Sequence, residues 1–517
     1  MADTAGVKKN NILLIAGLCA VLAAAFWARL QGITFGFPLI THPDEPEVMR
    51  PALNILRTGD LNPHTFLYPS LYIYMESLVC GIVYAFGKIA GSYKTLSDVG
   101  VTTFFYWARM LTIVLSVGTV YLTYVTGRIL FDKAAAFVAT IFIAGSYLHF
   151  NNSFVVTVDS PMAFWVTASF LMSVLLFVNG RKRLYYVLNG VFIGFAVGTK
   201  YTAIWCVLPM LWAHLHAAGY SARKIPGKDL LIGLFLIPAA FILSTPFVLI
   251  DFKKFIYFID YQKKAYTLGH PGHESAFVSY GFYWRALLNK FGNVGLWLGG
   301  IGVVILTVKN FRKAVLLMIF PAVYFLFFGS YKVQFDRNMV CVVPFLSLAA
   351  GYGVVMIIRQ ISRIRGEETP QRIARGILCF ALVFTVYHGV KKQVVPMMKK
   401  IRVLTLPDTR WQSKLWIEKN LPAGSRIGRE HYTPPVDPAR FKVAYLGYFG
   451  LLKARISDFD YIIASSTDYG RFVQNKKKYP AEAARYEEIF TKYPLVKEFK
   501  FDNKTITGPV IRIYKVR

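Results

Sequence analysis

Apolar runs of near-spanning length recur from residue 12 to residue 390, and no water-soluble arrangement buries so many of them. They fall at 12–30, 103–126, 134–150, 161–178, 185–199, 202–217, 229–250, 293–308, 314–328, 339–358 and 376–390. Read as helices, they predict about eleven crossings of a bilayer whose hydrocarbon core takes some 20 residues per helix. A hydrophobic content of 55% agrees with a polytopic α-helical membrane protein and excludes an ordinary soluble domain. The formal net charge of +31 raises the question of nucleic acid. The Lys and Arg cluster between apolar runs and in the last hundred residues, as topology signals and lipid-headgroup contacts do, so nucleic acid is not an expected partner and membrane lipids are. Cys19, Cys80, Cys206, Cys341 and Cys379 all lie in apolar runs without ligand spacing, which argues against disulfides and zinc.

One further apolar stretch, "FLYPSLYIYMESLVCGIVYAFG" at 66–87, decides sidedness. If it crossed, the basic loops "GRILFDK", "NGRKRL", "GYSARKIPGK", "VKNFRK" and "RQISRIRGEETPQRIARG" would all face outward. If it stays at the outer face, all five become cytoplasmic, as the positive-inside rule requires. The expected topology therefore has an uncleaved first helix with Lys8 and Lys9 in the cytoplasm, since "AFWARLQG" is a poor cleavage site. Residues 31–102 form a first extracytoplasmic loop with juxtamembrane helices. Residues 1–403 make a transmembrane domain, and 404–517 a soluble α/β domain outside. In that last part "LPDTRWQSKLWIEKNLPAGSRIG" reads as an amphipathic helix, a turn and a strand, and "FDYIIASSTDYGRF" as a buried strand followed by a turn.

The first loop carries "LITHPDEPEVMR", three carboxylates within four residues at a bilayer edge. A helix start explains one of them: Pro46 suits a first helical position, Glu45 would cap, and acids favour the positive end of the dipole. It does not explain three together with Asp159, which the topology brings to the same face, although Asp159 before Pro161 has a capping reading of its own. Cations complement them. Arg109 lies within an apolar run near its outer end, Lys200 at the junction of two short spans, and Arg337 just before another. Ionisable groups at membrane depth line cavities or pathways, or snorkel from a helix end. Acids and cations meeting at an outer-face cavity suit chemistry on a lipid phosphate.

Taken as an ordered set, "PDE" after the first span, the Asp159 segment, "GTKYTA" and "DRNMVCVVPFLSLAAGYG" resemble the GT-C fold glycosyltransferases. The similarity is to the protein O-mannosyltransferases and the lipid A aminoarabinose transferases, and it covers roughly 12–390. It implies a GT-C fold and an inverting transfer from a polyprenyl-phosphate-sugar donor to a glycan, lipid or protein acceptor at the extracytoplasmic face. A multi-pass protein of the cell inner membrane is the expected setting. Matched motif to motif, Asp44 is the implied base, with Glu45 beside it and Asp159 supporting the site. Lys200 and Arg337 stand where the family keeps cations for the lipid phosphate, and Arg109, from its place in an apolar run, is a further candidate to bind it. Many relatives read Lys-Pro-Pro-Leu in the first loop, whereas this chain reads "YPSL", with Tyr68 an uncharged hydrogen-bond donor.

His42, Tyr68, His270 and His273 are expected to line the substrate. The stretch "LGHPGHESAF", with His270, His273 and Glu274, reads as an exposed turn or substrate lid rather than a metal cluster. No cofactor is expected to be required, although Asp44, Glu45 and Asp159 have the oxygen chemistry of a divalent-ion site. Three other functions compete: a flippase or transporter of lipid-linked sugars, a lipid-linked glycan polymerase or ligase, and a non-catalytic receptor whose outer domain does the work. Transporters usually show paired halves with midplane binding residues, and no repeat is visible here.

Overall fold

A computed structural model describes residues 2–220, 227–272, 274, 278–364 and 369–517. They divide into two compact units, one holding Met1–Ile33, Asp44–Gly269 and Glu274–Met398, the other Thr34–Pro43, His270–His273 and Lys399–Arg517.

The first unit is helical. Among the described residues seven helices have the length and composition to cross a membrane: Ile12–Leu30, Leu71–Ile89, Val101–Leu130, Asp159–Asn179, Tyr280–Gly329, Asp336–Ile361 and Thr369–Leu404, the last of which runs on into the second unit. The run Tyr280–Gly329 is broken at Asn310, whose φ of −157° and ψ of 81° are not helical, so the basic stretch "VKNFRK" turns between two apolar segments. The apolar runs near 134, 185, 202 and 229 fold into the shorter helices Lys133–Ala144, Arg183–Thr199, Val207–Ala217 and Lys228–Ser244. Leu71–Ile89, the stretch that the basic loops place at the outer face, is one continuous helix with Glu76 buried in it.

Small residues let these helices approach closely, because in lipid the packing of surfaces rather than apolar burial drives association. A Cβ on Gly190 would lie 2.2 Å from the carbonyl oxygen of Gly233, and one on Gly194 would lie 2.6 Å from Ala240 Cβ. That contact fixes the helix Arg183–Thr199 whose end delivers Lys200, a residue in extended conformation at φ −151° and ψ 123°. Several polar side chains inside the bundle find partners on their own helix or on a neighbouring one, as a water-free interior favours. Thr119, Thr123 and Thr126 donate to the carbonyls four residues back, and Ser169, Asn189 and Ser173 form a buried chain of hydrogen bonds.

The second unit contains a five-stranded sheet. Its strands are β1 (Arg426–Glu430), β2 (Lys442–Gly447), β3 (Tyr461–Ser465), β4 (Leu495–Phe499) and β5 (Ile511–Lys515), in the order β2-β1-β3-β5-β4. β1 is parallel to β2 and to β3, while β5 is antiparallel to β3 and β4. Successive residues of β3 serve opposite faces: Ile462 packs with Leu451, Phe472 and Tyr486, and Ile463 packs with Ile417, Ile427 and Ile513. The helix expected from "LPDTRWQSKLWIEKN" runs Thr409–Asn420, capped by Asp408, which accepts from the Arg410 amide.

Glu430 and Asp468 are fully buried in this unit. Glu430 accepts hydrogen bonds from the Tyr486 hydroxyl and the Leu451 amide. Burial, and then the neighbouring Asp468, push the Glu430 carboxyl up to about 8. Burial likewise raises Asp468 to about 7, against the pull of Arg471. Both groups therefore bind protons more tightly folded than unfolded. The stability tied to those protons is fully present below the ordinary carboxylate values and is lost as pH rises through the folded ones. Amides of β1 and β3 should accordingly lose hydrogen-exchange protection, corrected for intrinsic rates, as pH climbs from about 5 to about 8. Glu430→Gln keeps an oxygen for Tyr486 and is expected to flatten that dependence; an unchanged profile would show that the carboxyl does not titrate there.

Candidate functional site

Asp44 directly precedes the helix Glu45–Thr58, in which Pro46 occupies the first turn. The residue in the cap position is thus Asp44 rather than Glu45, and its side chain makes no capping hydrogen bond. The carboxylate instead contacts the Arg337 guanidinium. Arg337 and Asn338 are adjacent in the first turn of the 3-10 helix Asp336–Val342, which leads into a long apolar helix, so that turn brings both to the site.

From Arg337 the network continues. Its Nε lies 3.7 Å from Asp159 Oδ2. Asp159, first residue of the helix Asp159–Asn179, accepts from Lys200 Nζ at 2.7 Å through its other oxygen. Lys200 also donates to Asn338 Oδ1 at 2.9 Å, and the Asn338 amide donates to the Tyr283 hydroxyl at 3.0 Å. Tyr283 in turn donates to the Val333 carbonyl at 3.0 Å. Tyr68 lies against the same groups, and burial together with the Asp44 carboxylate pushes its phenol well above its ordinary value, so it stays protonated and able to donate.

Exposure separates the two acids. The Asp159 and Lys200 side chains are 5% and 9% exposed, against 22% for Asp44 and 24% for Arg337. The Asp44–Arg337 end is where a reactant can touch the network, and Asp159 with Lys200 forms its buried support.

Glu45 and Arg109 form a separate arrangement. Two guanidinium nitrogens of Arg109 meet the two Glu45 oxygens at 2.7 Å each, a bidentate pair with both side chains fully buried. The remaining guanidinium nitrogen donates to the Ile33 carbonyl at 2.8 Å, and the Val156 amide donates to Glu45 at 3.0 Å. This pair ties the first helix, the acidic turn, the helix Val101–Leu130 and the approach to Asp159 into one cross-brace.

His42 and His270 belong to the second unit, and His273 lies outside the described residues. Within that unit Arg471 meets His270 Nδ1 at 3.1 Å. Among the described residues no group of three His, Cys, Asp or Glu has the geometry to hold a metal ion. Sequence reasoning missed Asn338 and Tyr283 as network members; the position of Asn338 directly beside Arg337 was the available signal.

Residues 103–247 match the family model described as dolichyl-phosphate-mannose-protein mannosyltransferase, a segment that includes Arg109, Asp159 and Lys200. No curated protein matches the chain by sequence. Among solved structures the chain is similar to ArnT from Cupriavidus metallidurans in the apo state, with a TM-score of 0.56 and 13% identity over 99% of this chain and 98% of that one. ArnT of the same organism bound to undecaprenyl phosphate gives 0.56 and 13% over 96% and 97%. The oligosaccharyltransferase of Archaeoglobus fulgidus in the apo form gives 0.54 and 12% over 89% and 72%. The chain has the GT-C fold that these glycosyltransferases share, in a multi-pass membrane protein with a C-terminal sheet domain.

Proposed function

We propose that this protein is an inverting glycosyltransferase that moves a hexosyl or pentosyl group from a polyprenyl-phosphate-sugar donor to an acceptor hydroxyl or phosphate on lipid A, a glycan or a protein. The observation that carries the reading is the half-open Asp44 carboxylate in contact with Arg337, backed by Asp159 and Lys200. It is supported by the match to a mannosyltransferase family model and by the likeness to ArnT solved with undecaprenyl phosphate and to the archaeal oligosaccharyltransferase solved with dolichol-phosphate.

In the proposed reaction Asp44 takes the acceptor proton as the acceptor oxygen bonds to the anomeric carbon. The bond from that carbon to the phosphate oxygen breaks, and the departing phosphate keeps the electron pair. Arg337 and Lys200 offset its growing charge, so no general acid is needed. With no second carboxylate acting as a nucleophile, the displacement inverts the anomeric centre. Arg337 has a double role in this scheme. Paired to Asp44 it quiets the base; a donor phosphate that draws the guanidinium to itself releases the carboxylate to accept a proton.

The reading includes no resident metal. Asp44 and Asp159 already share a guanidinium and an ammonium, and a hard divalent ion would have to displace both cations to gain enough oxygen ligands. The proposed setting is the inner membrane, with the N-terminus cytoplasmic and the site and C-terminal domain outside, because that orientation makes the basic loops cytoplasmic.

The test is release of free polyprenyl phosphate from a panel of polyprenyl-phosphate sugars by the purified protein in lipid with cell-envelope acceptor. Release is expected, dependent on acceptor and indifferent to a chelator. Lipid-linked sugars that change leaflet with the sugar–phosphate bond intact would favour the flippase reading instead.

A further inference from the structure

The carboxyl ends of the parallel strands in the second unit carry a constellation that the transfer chemistry does not use. β1 lies between β2 and β3, so the chain leaves β1 toward one side of the sheet and later returns on the other. In open α/β sheets ligands occupy the crevice beyond the strand ends at such a reversal. Here β1 ends in Glu430 and runs into His431 and Tyr432, β2 ends in Gly447 and runs into Tyr448 and Phe449, and Asp468 stands in the first turn of the helix after β3.

The edge is aromatic and partly exposed. The His431 imidazole stacks on the Tyr448 ring with centroids 3.9 Å apart and an interplanar angle of 28°, and it also contacts the Tyr445 hydroxyl. Tyr445 is 54% and Tyr448 46% exposed, an unusual outlay of large rings on a water-facing strand end. The turn that presents Tyr448 is specific: Gly447 and Phe449 both have positive φ, 76° and 56°, and the Phe449 ring packs edge-on against Phe472. Polar groups flank the rings. Arg471 donates to the Tyr432 hydroxyl at 3.3 Å and reaches His270 from the same position. At the floor Glu430 and Asp468 are fully buried, and among the described residues Glu430 Oε2 has no hydrogen-bond partner.

We propose that this edge is a saccharide-binding site of the C-terminal domain, with His431, Tyr445 and Tyr448 as the platform for a sugar ring and Arg471 and Tyr432 as polar contacts at its rim. A pyranose offers an apolar face of C–H groups and a rim of hydroxyls, and rigid rings with polar tips match both at little entropic cost. The contact surface is made of ring faces and hydroxyls rather than of fixed charge pairs, so the class is a neutral saccharide. The site stands apart from the transfer reading: it would bind sugar whether or not Asp44 is a base.

Its test uses the full-length protein in nanodiscs and saturation-transfer NMR with mannotriose, maltotriose, cellotriose and chitotriose, soluble sugars that lack the donor's phosphate and lipid. At least one is expected to bind, about tenfold or more weaker in Tyr448→Ala and near wild type in Tyr448→Phe. His431→Ala repeats the measurement should Tyr448→Ala fail to fold. Binding of none of these sugars, binding indifferent to Tyr448→Ala and His431→Ala, or binding only of an anionic heparin oligosaccharide would overturn the proposal. A Tyr448→Ala protein that keeps trisaccharide affinity yet loses affinity for the lipid-linked donor would do the same.

Discussion

Asp44→Asn is expected to lower the single-turnover rate of sugar transfer by about 10²- to 10⁴-fold while leaving donor affinity unchanged or slightly tighter. The amide has the shape of the carboxylate but cannot take up the acceptor proton. Arg337 then loses one anionic contact and keeps the other, Asp159 at 3.7 Å, so the guanidinium stays in place and a donor phosphate meets less competition for it. The split between rate and affinity makes the prediction specific. A merely structural aspartate would lower both through misfolding, and a phosphate-site residue would change affinity first. Asp159→Asn provides the contrast. It removes the partner of Lys200 at 2.7 Å inside the buried half of the network, so its main effects should be on folding and donor affinity. A rate for Asp44→Asn within a few-fold of wild type, with donor release intact, would remove Asp44 from the role of base.

The parts of this arrangement differ in how far the sequence discloses them. Asp44, Asp159, Lys200 and Arg337 are visible as charges at the ends of apolar runs, and their costliness at membrane depth is what singles them out. That Arg337 contacts Asp44 across 293 positions of chain is a tertiary fact with no local signature. The same holds for Arg109. Its place in an apolar run marks it as exceptional, but the run says nothing of Glu45, so a phosphate ligand and a buried ion pair look alike on paper. The break at Asn310 is legible because a cluster of basic residues cannot sit at mid-bilayer. The lengths of the helices near 134, 185, 202 and 229 are not, because a buried bundle lets a helix end early wherever neighbours satisfy its backbone. In the sheet domain the Pro/Gly turn after the amphipathic helix announces β1, and the apolar run before a turn reveals β3. The position of β1 between β2 and β3, which makes the reversal point, and the insertion of β5 beside β3 both come from pairing that no local pattern announces.

Arg109→Leu is expected to destabilise the membrane unit by about 3–5 kcal/mol, the usual result of leaving one member of a buried pair without the other. Glu45 has no exposed surface, and its oxygens meet only Arg109 and the Val156 amide among the hydrogen bonds described. Loss of the guanidinium strands a carboxylate in a dry interior and also releases the Ile33 carbonyl. Glu45→Leu alone should cost a similar amount by stranding the cation. The double substitution Glu45→Leu/Arg109→Leu should recover most of the loss, since two apolar side chains of suitable volume need no counter-charge there. Thermal unfolding of the three proteins in one detergent measures this coupling directly, and donor affinity of the double variant completes the argument. If Arg109 acted on the lipid phosphate, the double variant would be stable but blind to donor. If the pair is a brace that holds the acidic turn against the helix Val101–Leu130, the double variant should bind donor and turn it over, because Asp44, Arg337, Asp159 and Lys200 form their network without either residue.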